Sequence, residues 1–268
     1  MTRVIVHAGF HKTGTTSLQK YLAKTRGRLA PYFAYYGQND FLAAGARARI
    51  YAQKPFYWRR LRFRRAFRKF LSSIPDNHTI VLSRETFCGV MPGHRDWRRR
   101  VIQDFCTAGI PLCLDVADAL KKRFGRDVQI EFLFTTRAQE PWIKSVYGHL
   151  VRSIHLTENF EEFRGTFPNL ITLEEEAKRM AQALAPHMVH IAALEDLKNG
   201  PTGTAAAVLD LIDLPEDVRR VLPKAERENV RQSSDLEADF IALNRSGKTK
   251  EELRMIKDKL RNDAAGDR

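Results

Sequence analysis

Apolar residues are spaced along the chain in two periods. Short β-rich runs occupy 4–6, 79–83, 128–135 and 188–193, the composition of strands buried in a parallel sheet. Between them the spacing is helical. Leu18, Tyr21 and Leu22 start one apolar stripe, and Ile143, Val146, Tyr147, Leu150 and Val151 form another behind Pro141, a good first-turn residue. Within 56–71, Phe63, Ala66, Phe67, Phe70 and Leu71 fall at i, i+3, i+4, i+7 and i+8, which predicts an amphipathic helix. Further helices are expected over 38–52, 97–106, 112–124, 171–185, 235–245 and 249–261, with a short extended piece at 31–37 and fraying over 262–268. Strands alternating with helices predict an α/β chain whose mostly parallel central sheet is covered on both faces.

Ligands of such sheets bind at the carboxyl ends of the strands. Three polar segments should emerge there: the loop after 4–6, the Ser83-Arg84-Glu85 segment, and Arg137 after the longest strand. The first runs Gly9-Phe10-His11-Lys12-Thr13-Gly14-Thr15-Thr16-Ser17 into a helix. A strand, a glycine-bounded loop and a helix N-terminus point backbone N–H groups and the positive end of a helix dipole at one place, an anion cradle. Gly9, Gly14 and Thr16 match the Walker spacing G-x-x-x-x-G-K-[ST], but Thr15 stands at the lysine position and the lysine comes earlier, at Lys12. The 128–135 strand runs into Thr136-Arg137 and not into a magnesium-holding aspartate. The loop therefore suits one phosphate and its adjoining group, without a metal.

Gly-Phe-His-Lys-Thr-Gly-Thr-Thr-Ser-Leu-Gln resembles the 5′-phosphosulfate loop of sulfotransferases that use 3′-phosphoadenosine 5′-phosphosulfate (PAPS), most of all their bacterial branch. The resemblance extends to the spacing from Arg137 to Ser145, which equals that of the family's 3′-phosphate motif. It extends also to a late block, Leu194-Glu195-Asp196-Leu197 and then Asp213-Leu214-Pro215, where Leu211 and Asp213 depart from the usual Phe and Gly. A late polar loop over 226–234 is similar as well. The resemblance implies a P-loop-like three-layer sandwich in a single domain over 1–268, with a basic helical insertion near 56–71 and C-terminal helices over 235–261. It implies that Thr13, Gly14, Thr15, Thr16 and Ser17 hold the 5′-phosphate and that Lys12 assists transfer. Arg137 and Ser145 would bind the 3′-phosphate, 3′,5′-ADP would be the product, and no metal would take part. The acceptor hydroxyl or amine must lose a proton. Glu85, in a position to have its pKa raised by apolar walls, is expected to be the base and His11 beside Lys12 a donor to the sulfonate, with His11 as base the alternative; Arg84 could orient either substrate.

Composition narrows the partners. The 268 residues carry a formal net charge of +13 and are 43% hydrophobic, a globular chain suited to an anionic ligand. Six arginines and Lys69 on the other side of the 56–71 helix point either to a solvated face or to an anionic or membrane-borne acceptor. Cys88, Cys106 and Cys113 are an odd count without metal-ligand spacing, which predicts free thiols in a reducing compartment. No apolar run approaches spanning length, and the first strand begins near Arg3, so a cytoplasmic chain, at most peripheral to the membrane, is expected. Two other classes compete. A metal-dependent kinase would share the loop but lacks the late lysine here. A nucleic-acid-binding module would explain the charge but not two phosphate motifs at separate strand ends, so no nucleic acid is expected.

Overall fold

The computed structural model describes residues 1–226 and 234–266. In chain order its elements are β1 (Arg3–His7), α1 (Thr15–Leu29), β2 (Ala34–Tyr36), α2 (Leu42–Gln53), α3 (Tyr57–Ser73), β3 (Thr79–Ser83), a 3₁₀ turn (Glu85–Cys88), α4 (Cys106–Phe124) and β4 (Gln129–Thr136). Then follow α5 (Gln139–Ser153), α6 (Phe160–Gly165), α7 (Leu173–Leu184), β5 (Met188–Ala193), α8 (Leu194–Leu197), a second 3₁₀ turn (Gly203–Ala205), α9 (Ala206–Leu209), α10 (Glu216–Arg220), α11 (Ser234–Arg245) and α12 (Lys250–Gly266). The late polar loop over 226–234 lies almost wholly outside the described residues.

The five strands form one all-parallel sheet in the order β2-β3-β1-β4-β5, flanked by helices as in a three-layer sandwich. β1 is central, in register Arg3↔Thr79 with β3 and Arg3↔Gln129 with β4. Side chains of a strand alternate between the faces. Ile5, Val81 and Leu133 pack with Leu18 and Leu22 of α1 and with Val208 and Leu209 of α9. Val4, Val6, Ile80, Leu82, Phe132 and Phe134, the alternate positions, are also buried. Phe10, just past β1, stacks on Phe134 at 5.4 Å and meets Phe105 at 4.8 Å. Glu131, the one charge in the β4 run, is buried yet fully paired: Arg3 donates to its oxygens at 2.6 and 2.8 Å, and His190 lies 2.7 Å away. Burial raises its pKa, but these partners outweigh that and leave it lowered.

One helix expectation needs correction. Residues 97–106 are not a helix. The Asp96 carboxylate accepts from the N–H groups of Arg98 and Arg100 at 2.8 and 2.9 Å, Arg99 takes a positive φ of 63°, and Arg95 bridges Val101, so the segment is a turn. A single helix, α4, then begins at Cys106 and runs through Pro111. Its start is capped from afar by Glu176 of α7, whose carboxylate accepts from the N–H of Phe105 at 3.1 Å and of Cys106 at 3.2 Å. Trp142 is buried with the apolar stripe of α5. The three cysteines are free and buried.

By internal contacts the chain forms two units, Met1–Gln139 with Ile171–Arg227, and Glu140–Leu170 with Glu228–Arg268. The first holds the sheet. The second gathers α5, α6, α11 and α12. There the buried Lys257 ammonium donates to the Val151 carbonyl at 2.7 Å and the Asn244 side chain at 2.6 Å, a cation at the carboxyl end of α5.

Candidate functional site

β1 ends at His7, and its ladder is extended by one bond, Gly9 N–H to the Leu133 carbonyl at 3.3 Å. Gly9 has no room for a side chain. A Cβ there would stand 2.5 Å from His7 Nε2, 2.9 Å from Thr15 Cγ2 and 3.0 Å from Thr135 Oγ1. The loop then turns through two left-handed residues, Lys12 at φ 70° and Gly14 at φ 86°. Thr13, between them, points inward: its hydroxyl donates to the Phe10 carbonyl at 2.6 Å and lies 2.6 Å from the Thr135 hydroxyl on β4. Gly14 starts α1, and its carbonyl accepts from Leu18 N–H at 3.1 Å and from the Thr204 hydroxyl at 3.2 Å. Gly14 at the N-cap offers no side chain to cap this helix start, and no acid lies in its first turn. A helix start of this kind suits an anion, through its leading N–H groups and the positive dipole end. Thr15 is buried, Lys12, Gly14 and Ser17 half-buried, and Thr16 exposed.

The other two segments arrive beside this loop to different degrees. Arg137, half-buried just past β4, donates from Nη1 to the Lys12 carbonyl at 3.3 Å, so the two motifs touch. Ser145 lies half-buried on α5, in the second unit, and its pairing with Arg137 rests on chain spacing. Arg84 is held within the fold. Its guanidinium is buried against Gly45, donating from Nε to Thr86 at 3.1 Å and from Nη1 to the Gln38 carbonyl at 2.9 Å.

Glu85 does join the loop. The Gln19 amide, one turn into α1, donates to Glu85 Oε2 at 2.9 Å. Burial alone would raise the carboxyl's pKa, but His11, the turn's backbone N–H, Gln19 and Arg84 more than offset it, leaving it lowered, contrary to the expectation of a raised value. His11 Nε2 lies 3.3 Å from the Gly89 carbonyl, and its ring stacks on Phe105 at 6.0 Å. Burial is the first cause of its lowered pKa; Glu85 and the Gly89 carbonyl oppose it, and Arg49 and Lys12 add to it. Both groups are therefore in their proton-accepting forms near neutrality.

Sequence reasoning missed what stands under the cradle. His7 is fully buried, its Nδ1 2.8 Å from the Ser83 hydroxyl, and among the described residues its Nε2 has no hydrogen-bond partner. Burial lowers its pKa to about 4, with Glu85 opposing. His94, buried in the 89–101 loop, is likewise lowered to about 4 by burial first, then by Arg49 and His11. The only signal for His7 in the sequence was a histidine closing an apolar strand, which usually means packing. The donor set suits an anion of the phosphate type: a positive-φ turn, a helix start with glycine at its N-cap, hydroxyls at 15–17 and one ammonium. No family model matches the chain, and the curated proteins hold no match to it.

Proposed function

We propose that this protein is a PAPS-dependent sulfotransferase, moving a sulfuryl group to a hydroxyl or amine of an acceptor and releasing 3′,5′-ADP. The observation that carries the reading is the start of α1: a helix with glycine at its N-cap, entered through left-handed Lys12 and Gly14, with hydroxyls on its first turn. In this reading the N–H groups of 13–17 and the side chains of Thr15, Thr16 and Ser17 hold the 5′-phosphate. Lys12 sits where its ammonium neutralises charge on the leaving oxygen. Arg137 binds the 3′-phosphate, with Ser145 as the second donor that the family spacing suggests. Bound PAPS supplies the sulfuryl group, and the chain contributes position and charge. Glu85 and His11 are the candidate proton acceptors.

A thermal melt tests the reading. With 3′,5′-ADP at a hundredfold excess over Kd the folded state gains about 2.7 kcal/mol, which a melting curve resolves. Plain ADP and magnesium-ATP should shift it much less. Equal shifts with ADP would remove the 3′-phosphate site, and a magnesium-dependent ATP shift would favour a kinase. Transfer is then followed with sulfur-35-labelled PAPS and fractionated lipids, glycans and small metabolites. Lys12→Ala should abolish labelling while the melt is kept.

A further inference from the structure

α3 buries Phe63, Phe67 and Leu71 and turns the opposite face to solvent. On that face Trp58, Leu61, Arg62, Arg65, Arg68 and Lys69 fall at i, i+3, i+4, i+7, i+10 and i+11, one continuous stripe of exposed side chains. Trp58 is 55% and Leu61 37% exposed, an arrangement that costs free energy in water. α3 contains no acid. The two carboxylates that α4 brings alongside are occupied elsewhere. Asp115 pairs with Arg60 at 2.6 Å, and Asp118 with Arg64 at 3.2 Å and Lys122 at 2.8 Å. Among the described residues none lies within ion-pair reach of Arg62, Arg65, Arg68 or Lys69, although Asp118 feels the field of Arg68.

The apolar end of the stripe is broadened from a second segment. Phe56 stacks on Trp58 at 4.8 Å and meets Trp97 at 5.2 Å. Trp97, 44% exposed, is tied by its backbone N–H to the Gln53 carbonyl at 3.0 Å and carries the Arg98 guanidinium over its ring at 4.5 Å. An exposed indole pair and a leucine, continued by unpaired cations along one helix face, is the chemistry of the boundary between lipid headgroups and acyl chains. A soluble polyanion would account for the cations but gives the exposed Leu61 and Trp58 nothing to bury against.

We infer that the outer face of α3, with Trp97, docks on a bilayer bearing anionic headgroups: Trp58 and Leu61 enter the interface, and Arg62, Arg65, Arg68 and Lys69 engage lipid phosphates and carboxylates. This surface is independent of the reaction at the loop. The full chain is sedimented with vesicles of phosphatidylcholine alone or with about a third phosphatidylserine. Partition should occur on the phosphatidylserine vesicles, weaken with salt, and fall about fivefold for each of the four cations changed to glutamine. Trp58→Ala with Leu61→Ser should lower it at constant charge. All six side chains are exposed, so an unchanged melt separates a lost surface from a lost fold, and Arg65→Gln alone serves if a multiple variant melts early. Absence of partition, equal partition on both vesicles, or partition indifferent to both variants overturns the inference. So does retention on immobilised heparin without vesicle binding, which would make the partner a soluble polyanion.

Discussion

The hydroxyls of Thr13 and Thr135 lie 2.6 Å apart in the buried floor of the anion loop, one on the loop and one on β4. A hydroxyl has a single proton, and that of Thr13 goes to the Phe10 carbonyl at 2.6 Å, so Thr135 is the donor of the pair. The loop is thus fastened to the sheet by a side chain that no loop motif contains. Thr135→Val should cost about 1 kcal/mol of stability, a neutral hydrogen bond. It should also shrink the 3′,5′-ADP melting shift, because a loosened loop must be ordered by the ligand. Thr13→Val should cost more, since it strands the buried Phe10 carbonyl as well. Urea titration of both variants, with and without nucleotide, checks this. A full nucleotide shift in Thr135→Val would show that the loop is held by other means.

Arg60 and Arg62, two residues apart on α3, should respond in opposite ways to the same change. Arg60 donates to both oxygens of buried Asp115 at 2.6 and 3.0 Å. Arg60→Gln leaves that carboxylate without its main partner. Losses for fully buried pairs run to about 3–5 kcal/mol, and because Arg60 is partly exposed a loss of roughly 2 kcal/mol is expected. Arg62→Gln, on the solvent face, should stay within about 0.5 kcal/mol of the parent. Chemical denaturation of the two variants decides it, and equal midpoints would mean that Asp115 contributes nothing to holding α3 on α4.

Much of this was legible in the sequence, and what was hidden has a common cause. The β-rich runs located β1, β3, β4 and β5, and the short extended piece expected over 31–37 contains the edge strand β2; on the three inner strands, burial on both faces leaves a compositional mark. The loop was legible because glycine is favoured where the backbone turns left-handed, as at Gly14. The partition of the arginine-rich helix was not. Periodicity gave the buried face of α3, yet only the docking of α4 shows that Arg60 and Arg64 face Asp115 and Asp118 while Arg62 and Arg65 face solvent. The Glu176 cap on α4, the Gln19 bond to Glu85 and the commitment of Arg84 to the Gln38 carbonyl are contacts between distant segments in the same way. Without the Glu176 cap in view, the residues before α4 read as helix, and Pro111 as a break.

The buried histidines predict how stability depends on pH. His7 and His94 have folded-state pKa values of about 4, against about 6.5 when unfolded. The unfolded chain therefore binds protons first as pH falls, so the stability present above about pH 6.5 is lost progressively toward pH 4. At pH 5 each histidine accounts for roughly 2 kcal/mol of the loss. His94→Gln should flatten the fall in urea midpoint between pH 7.5 and about 5, whatever it does to the midpoint at pH 7.5. A slope unchanged in His94→Gln would mean that this ring titrates normally in the fold.

The proton acceptor is the closest contest at the site. Glu85 is kept ionised by neighbours that outweigh its burial, with Gln19 fixing one oxygen at 2.9 Å. It is always available as an acceptor at neutral pH, though a weak one by affinity. His11 is kept neutral chiefly by burial, and its Nε2 faces the Gly89 carbonyl at 3.3 Å. If that nitrogen carries the proton, Nδ1 is left as the acceptor. The carboxylate should win, because it is ionised at neutral pH, and because burial opposes a His11 cation by more than Glu85 and the Gly89 carbonyl favour it. Glu85→Gln keeps the size and the Gln19 neighbour, so it should lower kcat about 10²–10⁴-fold while the 3′,5′-ADP melting shift is preserved. His11→Ala should weaken nucleotide binding and turnover together. The pH profile of kcat/KM adds a second readout: with Glu85 as base its acid limb is displaced below the ordinary glutamate value, with His11 below the ordinary imidazole value. A Glu85→Gln enzyme with near-normal kcat, alongside a dead His11→Ala that still binds 3′,5′-ADP, would reverse the assignment.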